Sequence, residues 1–226
     1  VPGVFSNRLM VGGVPGCLSM GPHLIAADGT LRTIPGLAGE HLVASVRLEE
    51  APQVGQPKAK EASAQKKSKL GLLTAGGRLL EVDLATLAVQ ATRDIPAELG
   101  VQGQSLRFRA AHTLRNTLIV AAVGDDQQPG LLAEQAGGKW RIIDQAHYAE
   151  VCNLGAMSEQ VVAVGWDAAS TLLMLRTATG WQKHRLPKAT ENYPPPGADY
   201  SPRIREVVTE RLLLDAGGLF YEVSGL

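Results

Sequence analysis

Between residues 117 and 144 the sequence reads Thr117-Leu-Ile-Val-Ala-Ala-Val123, then Gly130-Leu-Leu-Ala-Glu-Gln135, the pair Gly137-Gly138, and Lys139-Trp-Arg-Ile-Ile-Asp144. Apart from the glycine pair, each of these stretches is short and rich in apolar residues. A glycine pair between two such stretches is a hairpin signal. This part of the chain therefore predicts three antiparallel strands joined by short turns.

The same layout returns in Gln160-Val-Val-Ala-Val-Gly165, Thr171-Leu-Leu-Met-Leu175, Thr179-Gly180 and Trp181-Gln-Lys-His-Arg-Leu186. In both copies a tryptophan lies nine residues after a leading leucine, at Trp140 after Leu131 and at Trp181 after Leu172. A shared spacing of this kind indicates a repeated hairpin. We expect both tryptophans to pack in the core or between repeats.

Weaker copies lie at Leu24 to Leu31, at Leu70 to Asp83 and at Arg211 to Val223. The leading leucines 79, 131, 172 and 219 are 52, 41 and 47 residues apart, close to the roughly 40 to 50 residues of a four-stranded propeller blade. No capped segment of helical period interrupts them. The sequence thus predicts an all-β fold, a β-propeller with about five blade-like units of four strands each.

Blade order assigns the stretch before each repeat to the inner strand, which lines the central channel: Leu106 to Thr113, Val151 to Gly155 and Arg203 to Val207. The remainder reads as connection, including a flexible lysine-rich insertion at 52–69 and a proline-rich loop at 188–202. We expect one propeller domain over residues 1–226, or a fragment of one whose ring is incomplete. The alternative is a ring closed by residues near Val4 to Met10.

Charge is balanced, because 22 Lys and Arg residues match 22 Asp and Glu residues. Without a net field we predict binding neither to nucleic acid nor to a membrane, which leaves a small anionic ligand or a protein as partner. The chain has no phosphate-binding loop, no nucleophile elbow and no metal-ligand spacing, so we predict no cofactor and no metal. Localisation stays open, with the cytoplasm favoured because no secretory signal is visible.

Arg203 and Arg205 carry the densest charge on a predicted inner strand. Two residues apart on a strand, they share a face and can present two guanidinium groups to a carboxylate or phosphate. The alternative is a structural ion-pair network, with Asp167 as the carboxylate of an adjacent blade. Glu206 and Glu210 are nearer in sequence, but alternation points Glu206 away and Glu210 lies beyond the strand.

Three further residues are candidate ligand contacts at the channel mouth. His112 ends a predicted inner strand, where alternation places it on one face with Phe108 and Ala110; it either bonds a neighbouring blade or contacts ligand. Trp166 and Asp167 precede a turn at residues 168–170. Asp167 is expected to accept hydrogen bonds from the turn amides while Trp166 packs between blades, or the pair forms a ligand shelf.

The second half of the chain contains, in this order, the motifs Ala111-His-Thr113, Gly165-Trp-Asp-Ala-Ala-Ser170, Arg185-Leu-Pro-Lys-Ala189, Pro202-Arg-Ile-Arg-Glu-Val207, Thr209-Glu-Arg-Leu-Leu-Leu-Asp215 and Phe220-Tyr-Glu222. In their order and spacing these motifs resemble those of an uncharacterised family of prokaryotic β-propeller proteins with WD40-like blades. The resemblance covers about Lys69 to Val223 and implies further blades beyond Leu226, but no activity. The chain departs from the family at Glu191, Asn192, Ser201 and Gly217-Gly218.

Two function classes remain. The first is a non-enzymatic propeller that binds a ligand or a protein at the channel mouth. The second is a propeller enzyme, a hydrolase or lyase, that acts on a small anionic substrate there with His112, Arg203 and Arg205. Because propellers host both classes, the fold cannot decide between them. Convergence of charged side chains in one concave site favours an enzyme, and a broad surface favours a scaffold.

Overall fold

The computed structural model describes residues 18–20, 23–25, 31–33, 40–48, 69–83, 86, 88–114, 116–125, 127–153, 160–186, 202–208, 211–216 and 219–224. Within these ranges the chain is almost entirely antiparallel β-sheet, and each sheet is a meander whose strands follow the order of the chain. The chain is therefore an all-β protein of propeller-type blades, as the sequence predicted. Blades are numbered 1 to 5 along the chain.

The first compact unit, Val1–Ile95, contains two blades. Blade 1 has three short strands: β1 (Leu18–Met20), β2 (His23–Ile25) and β3 (Leu31–Thr33). Blade 2 has four: β4 (Leu42–Leu48), β5 (Lys69–Thr74), β6 (Arg78–Asp83) and β7 (Val89–Asp94). A helix of one turn follows β7, α1 (Ile95–Leu99).

The second compact unit, Pro96–Leu226, contains three blades. Blade 3 comprises β8 (Arg107–Leu114), β9 (Thr117–Val123), β10 (Leu131–Ala136) and β11 (Lys139–Asp144). Blade 4 comprises β12 (His147–Asn153), β13 (Val161–Trp166), β14 (Thr171–Thr177) and β15 (Gly180–Leu186). Blade 5 has three described strands, β16 (Arg203–Val208), β17 (Arg211–Ala216) and β18 (Leu219–Ser224). That the two units form one domain stays a prediction.

Next to their turns, the repeated hairpins have the same register. Trp140 pairs with Gln135 in blade 3, and Trp181 pairs with Arg176 at the equivalent place in blade 4. The turn between β10 and β11 uses Gly137 and Gly138, which have φ angles of 57° and 79°. Two consecutive positive φ values match the twist of a two-residue hairpin and disfavour residues other than glycine.

Several predicted boundaries were wrong. β12 begins at His147 rather than at Val151, and β4 and β7 lie in stretches that the sequence assigned to connections. Lys69 is the first residue of β5 and not the end of the lysine-rich insertion, whose residues 52–68 lie outside the described ranges. Of the proline-rich loop, only Pro202 is described, and it is buried.

A β-bulge recurs in the first strand of blades 2 to 5. The extra residue is Val43 in β4, Arg109 in β8, Ala149 in β12 and Arg205 in β16, each time one position after the residue that pairs before the bulge. A bulge shifts the alternation of side chains by one residue. In β8, Phe108 pairs with Ala122 and His112 pairs with Ile119, so these two side chains lie on opposite faces and not on one face as predicted.

Blades 3, 4 and 5 pack through apolar faces, as propeller blades do. Between blades 3 and 4 the core includes Tyr148, Ile119, Leu172 and Met174, and β12 lies against β8 and β9. The Tyr148 ring covers Gly165, where a Cβ would lie 2.1 Å from the His147 carbonyl oxygen and 2.7 Å from the Tyr148 ring. Between blades 4 and 5 the core is formed by Val162, Val164, Leu173, Leu175, Ile204, Leu212 and Leu214.

Candidate functional site

The first strands of blades 3, 4 and 5 begin side by side. Only Gln145 and Ala146 connect the end of β11 to the start of β12, and the Glu150 carboxylate of β12 accepts a 2.7 Å hydrogen bond from the Ile204 amide of β16. We call this end of the blades, where the first strand starts and the second ends, the leading end. Arg107, His147 and Arg203 occupy the equivalent first position of the three strands there.

Arg203 and Arg205 do not act as a free pair. Arg205 is the bulge residue of β16, and its Nε and Nη2 atoms lie 3.0 and 2.5 Å from Asp215 Oδ2 on the neighbouring strand. The Arg203 side chain is exposed and makes no hydrogen bond or ion pair with the residues that the structure describes. The carboxylate that balances Arg205 is Asp215, which β17 places opposite Arg203, and not Asp167.

Asp167 and Trp166 lie at the leading end of blade 4. Asp167 Oδ1 accepts hydrogen bonds of 2.8 Å from the amides of Ala169 and Ser170, as expected for its turn, and Oδ2 accepts one of 2.7 Å from Arg185. Partial burial opposes ionisation, but these amides and Arg185 outweigh it and lower the pKa of Asp167. Asp167 therefore belongs to a turn within its own blade and does not bond Arg203 or Arg205.

Trp166 stacks on His147, with ring centroids 5.2 Å apart and planes 20° from parallel. The Gly124 amide donates a 3.2 Å hydrogen bond to His147 Nδ1, so a loop of blade 3 orients this ring. Nδ1 acts here as an acceptor, which places the proton of the neutral ring on Nε2. The stacked pair lies between the positions of Arg107 and Arg203 along the leading end.

His112 lies away from these residues. It is five positions beyond Arg107 on β8, about 15 Å along the strand, towards the opposite end of blade 3. Its Nε2 atom lies 2.8 Å from Asn153 Oδ1 in blade 4, which is the link to a neighbouring blade that one interpretation of the sequence predicted. Burial lowers the pKa of His112 although the Asn153 contact opposes the shift. The neutral imidazole thus joins blades 3 and 4.

The buried carboxylate of Glu134, between blades 3 and 4, was not predicted from the sequence. Glu134 is only 5% exposed and accepts hydrogen bonds from Arg141, from Arg176 Nε at 3.2 Å and from Trp181 Nε1 at 2.9 Å. Burial opposes ionisation, yet these three donors lower the pKa of Glu134. The only signal was a charge in an apolar strand, where the equivalent residue of blade 4 is Leu175.

A second polar link joins the same two blades nearer the leading end. Asp144 accepts a 2.6 Å hydrogen bond from the Tyr148 hydroxyl and contacts Lys183 Nζ at 2.7 Å. Burial, followed by the bond to Asp144, raises the pKa of Tyr148, so the phenol stays protonated. This set of contacts links blades 3 and 4, and the Tyr148 phenol stays un-ionised.

A cleft of about 270 Å³ opens at the leading end of blade 3. It lies among the segment before β8, the loop between β9 and β10, and the connection from β11 to β12. Val101, Leu131 and Ile142 line it together with the side chains of Gln104, Gln128 and Gln145. No charged or aromatic side chain is part of its described lining.

Within the described residues there is no cluster of three or more potential metal ligands, and no helix long and apolar enough to cross a membrane. The five predicted contact residues are thus divided. Arg203, Arg205, Trp166 and Asp167 lie at the leading end of blades 4 and 5, whereas His112 does not. Their role in ligand binding stays a prediction.

No protein-family model matches the chain, and no curated protein sequence is similar to it. A solved structure, that of BBS1N in complex with ARL6DN and soaked with lead, is similar over 92% of this chain and 74% of the other. The identity is 13% and the TM-score 0.36. A likeness at this level carries neither partner nor activity, and the assignment of propeller blades rests on the sheets themselves. The resemblance to the prokaryotic propeller family stays a prediction.

Proposed function

We propose that this chain is a non-enzymatic β-propeller scaffold that binds an acidic segment of a partner protein across the leading end of blades 3 to 5. One observation carries the proposal. Arg107 and Arg203 occupy equivalent positions there, both are exposed, and neither side chain makes a hydrogen bond or ion pair with any residue that the structure describes. Arginine is the side chain best suited to recognise carboxylates at an interface.

The same geometry speaks against the enzyme hypothesis. A catalytic site needs its acid, base and anion-binding groups to converge on a reacting atom. His112 is bonded to Asn153 far from the leading end, and Arg205 is engaged by Asp215. The Asp167 carboxylate accepts hydrogen bonds from its own turn and from Arg185. His112 therefore does not share a concave site with Arg203 and Arg205, the residues with which the enzyme hypothesis would act on a small anion.

Spacing favours an extended segment over a small anion. Packed sheets lie about 10 Å apart, so Arg107 and Arg203, with blade 4 between them, are separated by as much as about 20 Å at the backbone. An extended peptide advances about 3.3 Å per residue and covers that span with about six residues. In a propeller the first strands face the central channel, so this row lies at the predicted channel mouth.

Binding of a fluorescein-labelled glutamate decamer, followed by fluorescence anisotropy at about 50 mM salt, tests the proposal. We expect R107Q and R203Q each to weaken binding roughly two- to fivefold, and the double variant to weaken it by the product of the two factors. R211Q is the matched control, because Arg211 is also exposed but pairs with Glu222 at the other end of blade 5.

Two outcomes contradict the proposal. An equal loss in R211Q shows that the peptide responds to general surface charge, which the zero net charge of the chain otherwise keeps small. Tighter binding of inorganic phosphate or citrate than of the decamer, measured by thermal shift, with the same dependence on Arg203, assigns the row to small anions instead.

A further inference from the structure

The cleft at the leading end of blade 3 has an aliphatic base and an amide rim. Val101 is 7% exposed and Leu131 2% exposed, and Ile142 is half-buried beside them. The glutamine side chains 104, 128 and 145 are exposed at its mouth. Such a site buries an apolar group of a ligand and offers hydrogen bonds around it.

The amides of the rim are free to bind. Gln128 Oε1 accepts a 3.3 Å hydrogen bond from the Ser105 amide, which leaves the Gln128 NH₂ group available. The side chains of Gln104 and Gln145 bond to no residue in the described part of the chain. Each side-chain amide can donate and accept at once, which matches the paired C=O and N–H groups of a peptide backbone.

The lining restricts the chemistry of the occupant. Because no charged side chain is among the described residues of the lining, a carboxylate, phosphate or ammonium group would lose water there and gain only neutral hydrogen-bond partners. Because the described lining also holds no aromatic ring, a nucleobase or the apolar face of a sugar would find no stacking platform. An aliphatic side chain, with its own peptide groups bonded to the rim, fits both conditions.

Arg107 lies close to this cleft. It follows Gln104 by three residues, and its strand β8 is two strands away from Leu131 on β10. Neighbouring strands are about 4.8 Å apart, so the two backbones are separated by about 10 Å. An extended peptide crosses that distance in three residues, and the reach of the arginine side chain extends the range to about five.

We propose that the cleft binds an aliphatic side chain of the partner segment, three to five positions from an acidic residue that binds Arg107. The inference rests on the proposed scaffold function and specifies its partner. Acidic residues of the segment bind the arginines along the leading end, and the aliphatic residue determines which segments bind and in which orientation. The segment therefore runs from the rim of blade 3 towards blades 4 and 5.

Two labelled peptides test this site on the full chain. Both carry four consecutive glutamates, then three Gly or Ser residues, then either Leu or Ser, and anisotropy gives the ratio of their affinities. We expect the Leu peptide to bind roughly tenfold more tightly, as for burial of a leucine side chain. Moving the Leu to eight positions beyond the last glutamate should reduce the ratio to about one.

Q145W fills the mouth of the cleft and should reduce the Leu to Ser ratio to about one. Q104W provides a second blocking variant from the opposite rim. The control is Q182W, since Gln182 is an exposed glutamine of β15 that does not line the cleft. Thermal melts of all three variants confirm that the fold is retained.

The outcomes separate this inference from the proposed function. A ratio of one in the native chain, or a ratio that survives Q145W and Q104W, overturns the cleft site while acidic binding through Arg107 and Arg203 stands. If neither peptide binds, or if R107Q leaves the affinity for the Ser peptide unchanged, the scaffold proposal fails and the cleft inference fails with it.

Discussion

Charged side chains between blades 3 and 4 differ from two arginines at the leading end in whether they have bonding partners. Between blades 3 and 4, Arg176 is half-buried and bonds the buried carboxylate of Glu134, and Lys183 bonds Asp144. At the leading end, Arg107 and Arg203 are exposed and have no partner in the described part of the chain. A charge inside an interface must be compensated by the fold, whereas a charge kept exposed at equivalent positions of two blades is available to a partner.

The interface between blades 3 and 4 should fail most severely when Glu134 is removed. E134A leaves the Trp181 indole and the Arg176 guanidinium without their acceptor in a buried place, so we expect a loss of about 3–5 kcal/mol in the free energy of unfolding. Urea denaturation measures it. E222A is the control, because Glu222 is 59% exposed and its ion pair with Arg211 should contribute less than about 0.5 kcal/mol. Equal effects in the two variants would show that Glu134 is not a structural link.

The link between His112 and Asn153 should make stability depend on pH. Burial lowers the pKa of His112 in the folded chain, so the unfolded chain binds a proton at a higher pH than the folded one. Stability from this group is present above about pH 6.5, the ordinary pKa, and is lost as the pH falls from there towards the lowered value.

H112Q keeps a hydrogen-bonding group but cannot titrate. We expect it to cost about 1 kcal/mol at pH 7.5, and to show a smaller decrease in stability than the native chain between pH 7.5 and pH 5.5. Denaturation curves at both pH values give the comparison. Parallel losses in the two proteins would assign the pH dependence to other groups.

Arg205 tests the boundary between the two regions, since it lies at the leading end but is paired. Its side chain is 48% exposed, so R205M should cost only about 1 kcal/mol, mainly by leaving Asp215 without its cation. It should not change the affinity for the glutamate decamer by more than about a factor of two, because Arg203 and Arg107 remain. A large loss of affinity with little loss of stability would restore the predicted Arg203 and Arg205 fork.

Hairpins could be predicted from the sequence because their signals are local. The glycine turns at 137–138 and 179–180, each preceded by a leucine-led stretch and followed by a stretch with a tryptophan, mark β10, β11, β14 and β15 to within one or two residues. β7 was missed because its exposed, polar residues carry no apolar pattern. The signals of a meander lie in its inner strands and tight turns, and fade at its solvated edge.

The site was harder to predict because a bulge has no sequence signature in this chain. The extra residue is Val, Arg, Ala or Arg in the four first strands, so alternation counted from the sequence fails after it. For that reason Phe108 and His112 were placed on one face. The partners of Glu134 and Arg205 come from other strands, and only the register reveals them. The equivalence of Arg107 and Arg203 likewise follows only from the register of their strands.

The affinity of acidic peptides as a function of their length tests the account most directly. Glutamate peptides of two to ten residues are titrated against the native chain, R107Q and R203Q at one salt concentration. If Arg107 and Arg203 bind one extended segment, affinity in the native chain rises sharply near six residues, where the peptide first spans blades 3 to 5, and the rise disappears in either variant. A smooth increase with length that is the same in all three proteins, or full affinity at two residues, would contradict the account.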